Sequence, residues 1–583
     1  MIIPRSQTVA RGRTVVALVG GLLAAASIPA KPSPGSAEVD PVRFVDRTAA
    51  AGLDFVHRHF GTGEKWMPEN MGPGVLVADL DGDGRLDVYV PQGAPLVDGR
   101  PEPSPTAENR FYRQLEGGRF EDATAAAGLG DRGYGMGAYA GDVDRDGDLD
   151  VYVTNYGRNT LYRNLGGGRF EDVTEQAGVG SDLWSTGASF FDADGDGDLD
   201  LYVANYVDFS PGNHRFCGNA RRQLRSYCHP DVYGAQPDVF YRNAGDGTFR
   251  DETLAAGFRS SPTSVDPDSK GLGVLATDLD GDRRPDVMVA NDSTMNFLFV
   301  QQPDGRFIEG ALLAGVGFNA DGRPEASMGI AQGDVDGDRR LDLLLTHLDN
   351  ETNTLYRSSG DGQFVDATRV SGLGSPSLPW VGFGTVLFDA DLDGDLDLVV
   401  GNGHIIDNIA LFDRERQHRQ PLQLFLGAGD GTFRLDEGAF GTLPDLVARG
   451  VAAADLDGDG DEDLIVAQND GPALLLENVV HGRSLTVRLV PAGGVSPIGA
   501  RAVLETSPAA ATRVAAVVGG SSYLSQMPDD LVFGLGDAEP VALQVTWPDG
   551  STSRHAGLRP GRLHTVSQGK SEIATLPFAP RRR

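Results

Sequence analysis

Asp79-Leu80-Asp81-Gly82-Asp83-Gly84-Arg85-Leu86-Asp87 sets four carboxylates at positions 1, 3, 5 and 9 of one short turn. The pattern recurs from Asp142, Asp192, Asp278, Asp334, Asp389 and Asp455, seven times in all, with every aspartate kept. The candidate metal ligands are therefore Asp79, Asp81, Asp83 and Asp87; Asp142, Asp144, Asp146 and Asp150; Asp192, Asp194, Asp196 and Asp200; Asp278, Asp280, Asp282 and Asp286; Asp334, Asp336, Asp338 and Asp342; Asp389, Asp391, Asp393 and Asp397; and Asp455, Asp457, Asp459 and Asp463. Carboxylates so spaced converge on one hard cation if the chain wraps tightly, and Gly82, Gly147 and Gly281 supply the turn. Calcium takes six to eight oxygen ligands in flexible geometry, whereas magnesium is stricter and transition metals favour His or Cys, which these turns lack. The expected cofactor is calcium, up to seven ions. An EF-hand is excluded because its position 12 needs a bidentate glutamate. Here that position holds Val90, Val153, Val203, Val289, Leu345, Val400 and Val466, each in a strand-like apolar run.

Outward from each turn the flanks define a unit. Five residues before each first aspartate stands a glycine: Gly74, Gly137, Gly187, Gly273, Gly329, Gly384 and Gly450. A glycine there suits a strand crowded against a central axis. A second strand leaves the turn and ends at Gln92, Asn155, Asn205, Asn291, His347, Asn402 or Gln468. A third (Asn159–Asn164) and then a glycine turn with a fourth (Gly166–Thr174) complete the unit. The seventh unit stops at Asn478 without its fourth strand, while Phe44–Leu53 matches Phe120–Leu129. The N-terminal strand is thus expected to complete the last unit and close a ring, which removes exposed edges. The fold class reads as all-β: a seven-bladed β-propeller with calcium loops, followed by a small C-terminal β domain.

These units resemble the FG-GAP/VCBS repeats of integrin-type propellers, carried by the Asp-x-Asp-x-Asp-Gly turn and the Leu-Tyr-Arg-Asn segment over residues 44 to 478. The resemblance implies calcium bound between the first two strands of a blade. Arg283 and Arg339 replace the position-6 glycine, and those two sites are expected to hold their ions more weakly. From His481 the pattern changes. Ser484–Leu489, Ile498-Gly499-Ala500-Arg501, Gly519–Gln526, Phe533–Gly536 and Val545–Gly550 together resemble an ASPIC/UnbV domain, as found in the cartilage acidic protein family.

Composition bounds the rest. Formal charge is −33, which disfavours nucleic acid and anionic lipid as partners. Arg5, Arg11 and Arg13 precede the short apolar run Val15–Ala26, which reads as an export signal over residues 1–30. No later segment reaches the roughly 20 apolar residues of a membrane span. The signal implies a secreted or periplasmic protein, and in such a compartment Cys217 and Cys228, the only cysteines, are expected to form one disulfide. The organisation is signal 1–30, linker 31–43, propeller 44–480, C-terminal domain 481–570 and a disordered tail 571–583, in a monomer.

A ligand is expected on the face opposite the acidic turns, where long loops gather. Candidates there are His57, Lys65, Trp66, Glu69, Asn70, Trp184, Lys270, Glu325, His347, Trp380, His404 and Arg449, together with the loop Tyr206–Asp238. No serine-hydrolase elbow, zinc-protease helix, phosphate loop or dinucleotide fingerprint is present. The first reading is a binding protein for a protein or glycan partner. The alternative is a propeller enzyme of cyclase or lyase type using Glu69, Lys270 or His404 in acid–base work.

Overall fold

The computed structural model describes residues 44–258, 269–507 and 512–580. The expected export signal and linker lie outside the described residues. The chain is all-β, with helices of no more than four residues among those described. Seven four-stranded antiparallel sheets follow one another, and in each the acidic turn joins the first strand to the second. The first strands are Leu76–Ala78, Tyr134–Gly141, Ser185–Phe191, Gly271–Thr277, Ile330–Gly333, Gly382–Phe388 and Ala448–Ala454. Each lies against the next, and the last lies against the first.

The conserved spacing of glycines now has a physical cause, because these strands meet backbone to backbone. A Cβ on Gly273 would stand 2.7 Å from Met328 O, and one on Gly450 would stand 2.7 Å from Gly74 Cα. Gly187, Gly329 and Gly384 likewise abut the carbonyls of Leu272, Phe383 and Arg449 in the next sheet. The expected closure is also present: Phe44–Asp46 pairs with the last strand of the seventh sheet, Phe44 opposite Asn478. Side-chain amides add staples between sheets. Asn164 Nδ2 donates to Leu80 O, Asn243 Nδ2 to Val143 O and Gln114 Nε2 to Leu456 O, the last joining the first sheet to the seventh.

The C-terminal part forms two further four-stranded sheets. One runs Leu531–Gly534, Ser484–Val490, Arg562–Ser567, Ala574–Pro577, with its central pair parallel. The other runs Arg513–Ala516, Arg501–Ser507, Glu539–Thr546, Thr552–Ala556. Residues 571–580, expected to be disordered, instead carry that edge strand, and Ala579 N donates to Gly458 O in the seventh acidic turn at 2.7 Å. Pairing with Arg562–Ser567 satisfies the backbone of the tail. Residues 581–583 lie outside the described residues.

A feature the sequence did not disclose is where Gly519–Gln526 goes. This segment leaves the C-terminal domain and runs between the first strands. Gly519 bridges to Phe190, Ser522 to Ile330 and Gln526 to Leu76. Ser525 Oγ accepts from Val75 N, Ser522 Oγ accepts from Thr385 N, and Gln526 exchanges two hydrogen bonds with the backbone of Ala140. The segment therefore offers its polar groups to strands from five sheets. Tyr523 is fully buried, stands edge-on to Phe383 at 4.8 Å and donates its hydroxyl to Met71 O at 3.2 Å. The space between the first strands is thus filled by the C-terminal domain. Tyr523→Ala is expected to cost about 3–5 kcal/mol, by analogy with other buried aromatic truncations. Urea denaturation measures it, and a loss below about 1 kcal/mol would contradict this role for Tyr523.

Candidate functional site

Two places carry concentrated chemistry, one at each end of the first strands. At one end lie the acidic turns. In each, the position-9 aspartate is buried and accepts two backbone hydrogen bonds, as Asp87 does from Leu80 N (3.1 Å) and Gln114 N (2.7 Å). Asp150, Asp200, Asp286, Asp342, Asp397 and Asp463 repeat this pair of contacts. The carboxylate ties the turn to the third strand. The position-1 aspartate accepts from the position-6 N–H, Asp79 from Gly84 and Asp455 from Gly460. Position 6 is left-handed throughout, including Arg283 (φ 72°) and Arg339 (φ 70°). These two arginines spend their side chains on the C-terminal domain, reaching Gly550 O and Thr512 Oγ1. Docking that domain accounts for arginine where the other turns keep glycine.

Three carboxylate oxygens come within 4.8 Å of one another in Asp79/Asp81/Asp87, Asp142/Asp144/Asp146, Asp192/Asp194/Asp196, Asp278/Asp280/Asp282 and Asp334/Asp336/Asp342. Asp389 Oδ1 and Asp455 Oδ1 are buried without a hydrogen-bond partner. Burial pushes Asp87, Asp150, Asp200 and Asp342 up to about 7 each. Arginines of the third strands offset part of the charge, Arg113 at 2.8 Å from Asp81 and Arg163 at 3.1 Å from Asp144. An all-oxygen donor set with unpaired buried oxygens fits a hard divalent ion.

At the other end the chain packs Met67–Asn70 over the ring, and the sequence candidates separate into groups. Arg449 is fully buried and stacks on Phe383 with its guanidinium carbon 3.8 Å from the ring centroid. It donates to Asn70 O (2.7 Å) and Gly403 O (3.1 Å), so it holds the residue after Glu69 and the residue before His404. Around it gather His57, Glu69, Asn70 and His404, together with Tyr227 of the candidate loop Tyr206–Asp238 and with His418 and Asn469, which sequence reasoning missed. These last three come from separate loops and carry no shared motif.

The histidines here have fixed tautomers. His57 Nδ1 accepts from Asp470 N and His404 Nδ1 from Ile406 N, so each carries its proton on Nε2. Burial lowers both, His404 to about 4, and they are neutral near pH 7. Glu69 Oε2 accepts the Tyr227 hydroxyl at 3.1 Å. Burial pushes the Glu69 carboxyl up to about 6. His57 Nε2, His404 Nε2, Glu69 Oε1, Asn70 Oδ1 and Asn469 Oδ1 are buried without a hydrogen-bond partner among the described residues.

The remaining candidates have other partners. Lys270 pairs with Asp231 at 2.8 Å, not with Glu69 or His404. Glu325 accepts from Asn319 and Thr354, while His347 contacts Ser327 and Thr352 O. Trp184 packs among Tyr156, Tyr206 and Phe209, and Trp66 against His214; Trp380 is half-buried away from these contacts. Lys65 reaches Asp407 at 2.5 Å. Asn155 and Asn291 cap local turns by donating to Arg158 O and Met295 O, whereas Asn205 and Asn402 donate across longer loops to Pro237 O and Pro421 O. Cys217 and Cys228 form the expected disulfide, which fastens the loop packed beside Tyr227.

Glu69 makes a sharp test. Its folded value exceeds the ordinary 4.5, so its burial is tolerated while protonated and opposed as pH rises through about 6. The 1.5-unit rise corresponds to about 2 kcal/mol. Glu69→Gln is therefore expected to gain stability over wild type by up to about 2 kcal/mol between pH 4.5 and 7. Paired urea titrations across that range measure it, and a flat difference would contradict the assignment.

Comparison with known proteins agrees with the sequence pattern. Residues 103–153, 142–203, 278–345, 334–400 and 406–466 match the FG-GAP-like repeat, and residues 493–573 match ASPIC and UnbV. The chain is an FG-GAP-repeat protein with an ASPIC/UnbV domain. Cartilage acidic protein 1 of Homo sapiens is 29% identical over 291 residues, covering 48% of this chain and 41% of that protein. The Xenopus tropicalis protein is 28% identical over 293 residues, covering 48% and 42%. The alignments thus span less than half the length of these relatives. Among solved structures, an Agrocybe aegerita lectin that recognises non-reducing terminal N-acetylglucosamine gives a TM-score of 0.38 at 16% identity, covering 63% of this chain and 80% of that one. BBS1N in complex with ARL6DN gives 0.39 at 10% identity, covering 75% and 97%.

Proposed function

We propose that this chain is an exported, calcium-stabilised seven-bladed β-propeller that recognises a glycan or protein partner at the Arg449 chamber. The observation that carries the reading is the set of donor and acceptor atoms left unpaired there, His57 Nε2, His404 Nε2, Glu69 Oε1, Asn70 Oδ1 and Asn469 Oδ1. Unpaired buried polar atoms are costly, and hydroxyl groups, which both donate and accept, match such a mixed set. Export is supported by the disulfide and by the basic-then-apolar N-terminal sequence. Calcium is supported by the converging carboxylates of the acidic turns.

Screening the full chain against a glycan array in calcium buffer is expected to give a defined binder that Glu69→Gln and His404→Ala weaken at least tenfold. Binding that both variants leave unchanged would remove the chamber from the reading. The scaffold is tested separately. Each ion at a hundredfold excess over its Kd adds about 2.7 kcal/mol. Chelation is thus expected to lower the melting temperature by more than about 10 °C, with calcium restoring it and magnesium failing to. Unchanged melting and metal content after chelation would sink the calcium assignment.

A second reading has its own observation. Glu69, held at about 6 beside Tyr227, has the proton affinity of a general acid–base near neutrality. In a cyclase or lyase, Glu69→Gln would abolish turnover while leaving ligand binding measurable.

A further inference from the structure

Between the acidic turns and the C-terminal domain the structure holds an open-sided cavity of about 860 Å³, separate from the Arg449 chamber. Its volume falls in the range that holds drug-sized molecules. One wall is Leu387 and Phe388 of the sixth sheet; the facing wall is Val518, Met527, Val532 and Phe533 of the C-terminal domain. Leu387, Val518, Met527 and Val532 are only half-buried, so they present apolar surface to this space, whose charged lining is mostly acidic. Small-molecule sites commonly combine apolar walls with a few placed polar groups. Pro577–Pro580 of the C-terminal tail forms part of the rim.

The polar inventory narrows the guest. The lining arginines are already engaged: Arg85 pairs with Asp83, Arg488 is bidentate to Asp530 at 2.8 and 2.7 Å, and Arg513 reaches Asp393 O and Leu535 O. Asp334, Asp336, Asp389, Asp455 and Asp457 of the acidic turns, with Glu116 and Glu462, make the edge acidic. Besides Asp389 Oδ1 and Asp455 Oδ1 of the acidic turns, the lining atoms Thr486 Oγ1 and Gln332 Oε1 are buried without a partner, and Thr486 is 3% exposed. These last two belong to uncharged side chains, and both accept a hydrogen bond. An anionic guest would meet the acidic edge without a free cation to receive it.

We propose that this cavity is a binding site for an uncharged, largely apolar small molecule bearing a hydrogen-bond donor. The guest lies between the domain and the turns, beside both arms that carry Gly519–Gln526 into the ring. Its occupancy braces that segment, and the site is independent of any ligand at Arg449.

The full chain in calcium buffer, titrated with N-phenyl-1-naphthylamine, is expected to show saturable fluorescence enhancement. Its sulfonated analogue, 1-anilinonaphthalene-8-sulfonate, is expected to bind at least tenfold more weakly. Val532→Trp and Val518→Trp, which fill the void, are expected to weaken the amine at least tenfold, while Glu69→Gln leaves it unchanged. Photolabelling of the wild type with benzophenone, which needs no variant, is expected to mark residues 514–533. Absence of saturable binding, equal binding of the sulfonate, insensitivity to both tryptophans in variants of native melting temperature, or labelling elsewhere would each overturn the proposal.

Discussion

Seven strands converge so closely that backbone touches backbone, and this crowding governs the molecule. A side chain at Gly273 or Gly450 has no room, because Met328 O and Gly74 Cα occupy the place of its Cβ. The strands still leave a space along their common centre, and closing a ring of sheets does not fill it. Interiors pack to nearly crystalline density, so the space needs an occupant. Gly519–Gln526 supplies one, and two glycines at its start let its backbone reach Phe190 and Ala188. The C-terminal domain is thereby part of the ring's core, and its apolar residues merge with those of the second to fourth sheets in one cluster.

The same segment separates the two ends of the ring. On one side the position-9 aspartates knit each acidic turn to its own sheet, and the C-terminal domain docks over several turns through Arg283, Arg339 and Ser484. On the other side Tyr523 reaches Met71, next to the helical turn that carries Glu69 and Asn70. The axial segment thus connects the C-terminal domain, which covers the turns, to the backbone beside the Arg449 chamber.

Much of the ring was legible because it is written locally and repeated. The aspartate spacing, the glycine five residues before it and the missing fourth strand of the last unit each appear within a short window. The match between Phe44–Leu53 and Phe120–Leu129 located the closing strand for the same reason. The axial segment was recognisable as a motif, yet its contacts are with residues about 140 to 450 positions away, and no periodicity encodes such distances. The chamber was half legible: Glu69, His404 and Arg449 were singled out, but Lys270 answers to Asp231, and His418, Tyr227 and Asn469 arrive from unrelated loops. The tail from 571 misled because its strand pairs only through tertiary contact, which polar composition does not reveal.

The closing pair of strands bears on how the chain reaches this state. Phe44 meets Asn478 across more than four hundred residues, and Gln114 meets Leu456 across 342. Loop-closure entropy must be met before such contacts return anything, and topologies dominated by distant pairs fold slowly. Individual sheets, by contrast, are hairpins of near neighbours that form early. The joining of the ends is then expected to come late in assembly, and until it happens the seventh sheet exposes the unpaired edge of Leu474–Asn478 to other copies of the chain.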